Sequence, residues 1–76
     1  MKYNVAVVGA TGMVGRKFID VLIERNFPIK NIYFFASKKS AGTTINFKGS
    51  EVVVEELKEE NIKNKSIDFA LFSAGG

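Results

Sequence analysis

The sequence has 76 residues, no cysteine, no histidine and a net charge of +3 at pH 7. This length suffices for one compact domain at most, since domains usually hold about 100 to 200 residues. The composition excludes a disulfide framework, a cysteine nucleophile and a histidine base within the chain. No apolar run approaches the roughly 20 residues that cross a bilayer, and no signal-peptide pattern follows Met1, so we expect a cytoplasmic protein without a membrane partner.

The charge is unevenly distributed along the chain. Residues 1–50 hold eight Lys or Arg and two acidic residues, whereas residues 51–76 hold three basic and six acidic residues. The basic part favours an anionic ligand, although a solvated basic surface would have the same composition. Nucleic acid is not expected, because the basic residues form no run with interleaved aromatic residues. The glutamates of residues 55–60 lack the spacing and the glycine of a cation-binding loop, so we expect no metal site.

The first third of the chain predicts a strand, a turn and a helix. Residues 3–8 form a short β-branched apolar run that ends at Gly9, which is typical of a buried parallel strand. A helix is predicted over residues 13–25. It carries an apolar stripe made of Val14, Phe18, Val21 and Leu22. Asn26 suits the left-handed position after a helix and Pro28 cannot continue the hydrogen-bond ladder, so the helix should end there.

The rest of the chain predicts strands around one hairpin. Residues 31–36 are aromatic and β-branched and predict a second strand, with its phenylalanines in the core. Residues 45–47 and 51–54 predict a hairpin with a glycine near its turn. Residues 57–64 predict a short, charged helical turn. A last strand over residues 67–73 would lead into a second glycine-containing loop at its carboxyl end.

The turn between the first strand and the helix, residues 9–15, has the pattern GxxGxxG. In such a turn Gly9 allows the tight bend, Gly12 lets the backbone approach a pyrophosphate, and Gly15 lets the helix pack against the strand. The amino end of the helix then presents free N–H groups to the phosphates. Because the pattern follows an apolar strand and opens an amphipathic helix, it favours a dinucleotide site over a purely structural turn.

The loop after the second strand predicts the identity of the cofactor. An Asp or Glu at this place would bind the ribose 2′-hydroxyl of NAD, but the sequence has Ser37 there. Lys38, Lys39 and Ser40 follow and supply cations and a hydroxyl for a 2′-phosphate. The cofactor is therefore predicted to be NADP, bound as NADPH, while a solvent-exposed lysine loop remains the alternative.

The order of elements predicts the fold. A strand, a helix, a strand, a hairpin, a short helix and a strand in succession imply right-handed crossovers. We predict an α/β fold with a Rossmann-like, doubly wound parallel sheet, of which residues 1–76 form one partial domain, the N-terminal half of a dinucleotide-binding domain. One good helix cannot cover both faces of this sheet, so part of its apolar surface should stay exposed.

Three blocks of sequence resemble one known family. They are VVGATGMVG at residues 7–15, ASKKSAG at residues 36–42 and DFALFSAGG at residues 68–76. In this order and at these separations they resemble the N-terminal, NADP-binding part of aspartate-semialdehyde dehydrogenase. The first block is shared with many dinucleotide-binding proteins, whereas the other two blocks are more specific.

The resemblance implies roles for particular residues. Those matching Thr11, Gly12, Met13 and Val14 contact the cofactor phosphates. Those matching Lys39 and Ser40 contact the 2′-phosphate, and the family usually has arginine where this chain has Lys39. Those matching Ser73, Ala74 and Gly75 form the loop after the strand beside the cofactor, where small residues allow a close approach.

The resemblance also implies an activity, the NADPH-dependent reduction of L-aspartyl 4-phosphate to L-aspartate 4-semialdehyde on the route to lysine, threonine and methionine. Family members are homodimers that use a cysteine nucleophile and a histidine, and a catalytic and dimerisation domain carrying them would be absent from this chain. The chain alone is therefore expected to bind cofactor without turnover. The alternatives are N-acetyl-gamma-glutamyl-phosphate reductase, a short-chain reductase or redox-sensing module with a similar turn, and a non-catalytic NADP-binding module.

Overall fold

The computed structural model describes residues 1–72, which form a five-stranded sheet with two helices. The elements in chain order are β1 (Tyr3–Val8), α1 (Met13–Glu24), β2 (Ile29–Ala36), β3 (Thr44–Phe47), β4 (Ser50–Glu56), α2 (Glu59–Lys63) and β5 (Phe69–Phe72). The strand order is β3-β4-β2-β1-β5. Four strands run parallel, and only β3 is antiparallel, to β4. The predicted α/β fold with a partial Rossmann-like sheet is confirmed.

The order of the strands places a crevice at the carboxyl end of β1. Within the sheet, β2 lies on one side of β1 and β5 lies on the other side. Strand order reverses at β1, and open parallel sheets bind their ligands outside the carboxyl ends of the strands at such a point. The turn that follows β1 lies at this crevice.

One face of the sheet packs against α1 and holds most of the core. The fully buried side chains there are Val5, Val7, Phe34 and Val54. Ile19 and Leu22 close the layer from α1. These strands are β-branched and aromatic on this face because both sides of an interior parallel strand lose contact with water.

The opposite face has a smaller apolar cluster and an unusual cover. Ala6, Val8 and Phe35 are buried there, with Tyr33 packed at their edge. The ammonium group of Lys65 lies 5.4 Å from the ring centre of Tyr33 and 5.7 Å from that of Phe35. A lysine side chain therefore covers apolar surface that a second long helix would cover in a complete doubly wound sheet.

The stripe predicted for α1 is partly wrong. Val14 and Val21 are 46% and 48% exposed, whereas Gly15, Ile19 and Leu22 are buried. The helix is rotated relative to the prediction because Gly15 packs closely against Gly9 and Ala10, in the turn after β1. A glycine carries no hydropathy signal, so the pattern of apolar side chains alone did not reveal that face.

Several predicted boundaries shift by one or two residues. Helix α1 ends at Glu24, with Arg25 as its C-cap, and Asn26 takes the predicted left-handed conformation with φ of 50°. The hairpin turn has only two residues, Lys48 and Gly49, both with positive φ, and Ser50 already pairs with Phe47. This geometry suits the right-handed twist of a hairpin.

Further shifts concern β2, α2 and β5. Strand β2 begins at Ile29, two residues earlier than predicted. Helix α2 is shorter than the predicted residues 57–64, because Leu57 donates its N–H to Ala36 O at 2.8 Å and so extends the sheet. Strand β5 begins at Phe69, and the predicted strand residue Ser73 lies outside the described residues.

Apolar surface remains open beside the edge strand β5, as the sequence predicted. Phe69 is 47% exposed and Phe72 is 67% exposed. Phe69 makes edge-to-face contacts with Tyr3 and Phe27, with ring centres 5.0 and 5.9 Å away. In residues 1–72, no helix has the length and apolar character that a membrane span requires.

Candidate functional site

The glycine turn, residues 9–15, is fixed to the neighbouring strand by its backbone. The N–H groups of Gly9 and Ala10 both donate to Phe35 O, at 2.8 and 3.1 Å. The N–H of Gly12 donates to Gly9 O at 3.1 Å and closes the turn. Gly9 has φ of 80°, a conformation that L side chains rarely adopt, so glycine is required there. The turn therefore has a defined shape before any ligand arrives.

The other two glycines of the turn differ in what the fold demands of them. A Cβ at Gly15 would lie 2.1 Å from Gly9 O and 2.8 Å from Ala10 Cα, so only glycine allows α1 to pack against the turn. A Cβ at Gly12 would lie 3.5 Å from Gly9 O, which is an ordinary contact. The fold tolerates a side chain at Gly12, so its glycine matches the close backbone approach that a bound pyrophosphate needs.

The amino end of α1 offers hydrogen-bond donors without a charged side chain. Gly12 is the N-cap and makes no side-chain cap, and the first turn contains no acidic residue. The first intrahelical bond is that of Arg16 N–H to Gly12 O at 3.0 Å. The N–H groups of Met13 and Val14 lie before it and have no intrahelical acceptor, and the dipole of the helix is positive at this end. This arrangement favours an anion such as a phosphate.

The loop after β2, residues 37–42 and here called the lysine loop, is a compact turn. The N–H groups of Ser40 and Ala41 donate to Ser37 O at 2.9 and 3.0 Å. Gly42, with φ of 93°, donates its N–H to Val54 O at 2.8 Å and anchors the loop on β4. The hydroxyl of Thr43 donates to Ser40 O at 2.7 Å. These bonds hold the loop over the carboxyl end of β2.

The structure brings the glycine turn and the lysine loop together. Thr11 Oγ1 donates to Ser40 Oγ at 3.3 Å, although the two residues are 29 positions apart. Ser37, Lys38 and Lys39 are exposed beside this contact. The three ion pairs within residues 1–72 join other lysines to glutamates, so the two lysines of the loop keep their charges available for a ligand.

The last predicted segment of the site follows β5. In the β1–β5 register Val8 lies opposite Phe72, so the two strands end at the same edge of the sheet. Ser73, Ala74 and Gly75 come next in the chain and lie outside the described residues. Their part in the site stays a prediction.

One basic residue near the site was not assigned from the sequence. Arg16 lies one residue after the glycine turn, and its side chain lines a groove between α1 and β3. The sequence places Arg16 on the helix but does not show that it lies beside β3, because this proximity arises only when the β3–β4 hairpin joins the edge of the sheet.

Comparisons with known proteins agree with this geometry. Residues 4–76 match the model of the family described as "Semialdehyde dehydrogenase, NAD binding domain". The aspartate-semialdehyde dehydrogenase of Aquifex aeolicus is 55% identical over 76 residues, which are all of this chain and 22% of that protein. The same enzyme from Legionella pneumophila is 53% identical over 73 residues, 96% of this chain and 20% of its own length.

Solved structures show the same similarity. Aspartate semialdehyde dehydrogenase II of Vibrio cholerae, complexed with ASA, matches with a TM-score of 0.83 and 39% identity over all of this chain and 24% of its own. A probable aspartate-semialdehyde dehydrogenase of Pseudomonas aeruginosa matches with a TM-score of 0.80 and 35% identity, over 97% of this chain and 22% of its own.

This chain thus spans about a fifth to a quarter of the length of the relatives that it matches. The resemblance inferred from the three sequence blocks is confirmed by the family model and by these relatives. The chain belongs to the semialdehyde dehydrogenase family, to its NAD-binding domain.

Proposed function

We propose that residues 1–76 form one partial NADP-binding domain, the cofactor-binding part of an NADP-dependent aspartate-semialdehyde dehydrogenase. The observation that carries this proposal is the contact between Thr11 and Ser40, which joins the glycine turn to the lysine loop. One side of this contact presents backbone donors for a pyrophosphate, and the other side presents two exposed lysines. A dinucleotide with an additional phosphate on its adenine ribose fits both sides.

The preference for NADP follows from the chemistry of the lysine loop. Residues 37–43 contain no Asp or Glu that would bind a ribose 2′-hydroxyl and repel a 2′-phosphate. Lys39 supplies the charge where relatives usually have arginine, and Ser40 supplies a hydroxyl. A lysine lacks the planar fork that grips a phosphate through two parallel bonds, so we expect a weaker preference for NADP than arginine would give.

The site residues of the proposal are those of the two loops and the segment after β5. The glycine turn contributes Gly9, Thr11, Gly12, Met13, Val14 and Gly15. The lysine loop contributes Ser37, Lys39 and Ser40, and the segment after β5 contributes Ser73, Ala74 and Gly75. Met13 is 84% exposed at the amino end of α1, which leaves its side chain free to cover a bound dinucleotide.

The whole enzyme would reduce L-aspartyl 4-phosphate to L-aspartate 4-semialdehyde and release phosphate, in the cytoplasm and as a homodimer. NADPH supplies the hydride when it is bound. The acyl phosphate would react with a cysteine that is not among these 76 residues, because the chain has neither cysteine nor histidine. Residues 1–76 contribute the binding and the orientation of the cofactor, and alone they would not turn over substrate.

The proposal is tested by titrating the chain with NADPH and NADH side by side, by calorimetry or by nucleotide fluorescence. We expect tighter binding of NADPH, and the variant Lys39→Ala should lose about fivefold in NADPH affinity with little change for NADH. Lys30→Ala is the matched control, since Lys30 is an exposed lysine at the opposite end of β2.

Two results would contradict the proposal in different ways. If neither NADPH nor NADH binds, the result would contradict dinucleotide binding itself. Equal losses with Lys39→Ala and Lys30→Ala, or no loss with either, would remove Lys39 from the 2′-phosphate site.

A further inference from the structure

A groove of about 330 Å³ lies between α1 and β3. Arg16, Asp20 and Ile23 line it from α1, and Thr44 and Asn46 line it from β3. Its lining contains no residue of the glycine turn or of the lysine loop. The groove is therefore a surface distinct from those of the two loops.

One end of the groove, formed by Arg16 and Thr44, is close in the chain to the glycine turn and to the lysine loop. The N–H of Arg16 donates to Gly12 O, so Arg16 lies about 6 Å further along the helix axis than Gly12. On the other wall, Thr44 follows Thr43, whose hydroxyl donates to Ser40 O at 2.7 Å. Arg16 thus lies between the pyrophosphate end of α1 and the strand that continues from the lysine loop.

The charge of Arg16 is not used within the described part of the chain. Arg16 is exposed, and the ion pairs of residues 1–72 engage lysines only. Asp20, one helical turn away on the same groove, does not approach Arg16 within ion-pair distance. A guanidinium group presents a planar fork of donors that binds two phosphate oxygens at once, which Lys39 cannot do.

We propose that Arg16 is a second cation for the 2′-phosphate of NADPH, reaching it from the α1–β3 groove while Lys39 reaches it from the loop. This inference rests on the proposed NADP-binding function. Arg16 would make the contact through two parallel hydrogen bonds that an arginine at position 39 could make and that Lys39 cannot. With NADH the same side chain has no phosphate to contact, so Arg16 contributes to the choice of cofactor and not to the binding of the shared part of the dinucleotide.

The test uses the full chain and two small probes that differ mainly by the phosphate, 2′,5′-ADP and 5′-AMP. Arg16→Met removes the guanidinium and keeps a long side chain on the helix. Lys17→Met is the matched control, since it removes one exposed positive charge from the neighbouring residue, which is not among those lining the groove. Circular dichroism of each variant verifies that the helix and the sheet are retained.

We expect Arg16→Met to bind 2′,5′-ADP about fivefold to tenfold more weakly and to bind 5′-AMP as the parent chain does. Lys17→Met should change neither affinity by more than about twofold. Equal losses of affinity in the two variants would show a general effect of charge and would overturn the contact. Unchanged binding of 2′,5′-ADP in Arg16→Met would also overturn it. A parent chain that binds neither probe would overturn the proposed function and this inference together, whereas binding that Arg16→Met leaves intact overturns the inference alone.

Discussion

The contact beneath Gly15 makes a strong prediction about stability. The variant Gly15→Ala adds one methyl group, which would lie 2.1 Å from Gly9 O, whereas ordinary contacts of this kind begin near 3.4 Å. Because the atoms that the methyl group would meet, Gly9 O and Ala10 Cα, belong to the backbone, no rotamer change relieves the overlap. Helix α1 must therefore move away from the glycine turn by about 1 Å. Overpacking of this kind costs about 3 kcal/mol, and the higher helix propensity of alanine offsets about 1 kcal/mol of it. We expect the free energy of unfolding to fall by about 2 kcal/mol.

The assay is urea denaturation of the chain, followed by circular dichroism at fixed temperature. Gly12→Ala is the matched control, because its added methyl group meets only an ordinary contact at 3.5 Å. The control should lose less than about 1 kcal/mol, the usual effect of an unfavourable N-cap. If Gly15→Ala is as stable as the parent chain, or no less stable than Gly12→Ala, the account of how α1 packs on the glycine turn is wrong.

Two other predictions follow from the packing of the sheet and the geometry of its hairpin. Phe34 is fully buried and Phe72 is 67% exposed, so Phe34→Ala should destabilise the chain by about 3 to 5 kcal/mol and Phe72→Ala by less than about 1 kcal/mol, as thermal melting would show. Equal shifts in melting temperature would contradict the assigned core. Gly49→Ala should cost about 1 kcal/mol although nothing lies within 4 Å of the added methyl group, because φ of 88° is strained for alanine. An unchanged urea midpoint would contradict that turn geometry.

Much of this fold could be predicted because its signals are local. The apolar run of β1, the glycine turn and the end of α1 at Asn26 each depend on a few neighbouring residues. The rotation of α1 could not be predicted from apolar periodicity, because the residue that sets it, Gly15, has no side chain. Long-range contacts were also hidden, and the cover that Lys65 forms over Tyr33 and Phe35 joins residues about 30 positions apart.

The same distinction applies to the candidate site. The glycine turn and the lysine loop were each predicted from their own composition and from their places after β1 and β2. The hydrogen bond between Thr11 and Ser40, which makes them one surface, depends on the pairing of those strands and could not be seen in either segment. The position of Arg16 depends on where the β3–β4 hairpin folds, which no short pattern in the sequence fixes.

Titration of NADPH into the parent chain and into Gly12→Val tests the claim that the glycine turn binds the pyrophosphate of a dinucleotide. The backbone of Gly12 is extended, with φ of −81° and ψ of 171°, so valine fits the turn itself. Its side chain would occupy the space that the pyrophosphate needs. We predict that the parent chain binds NADPH and that Gly12→Val binds it at least about tenfold more weakly while remaining folded by circular dichroism. Equal affinity of the two folded proteins for NADPH would contradict the claim.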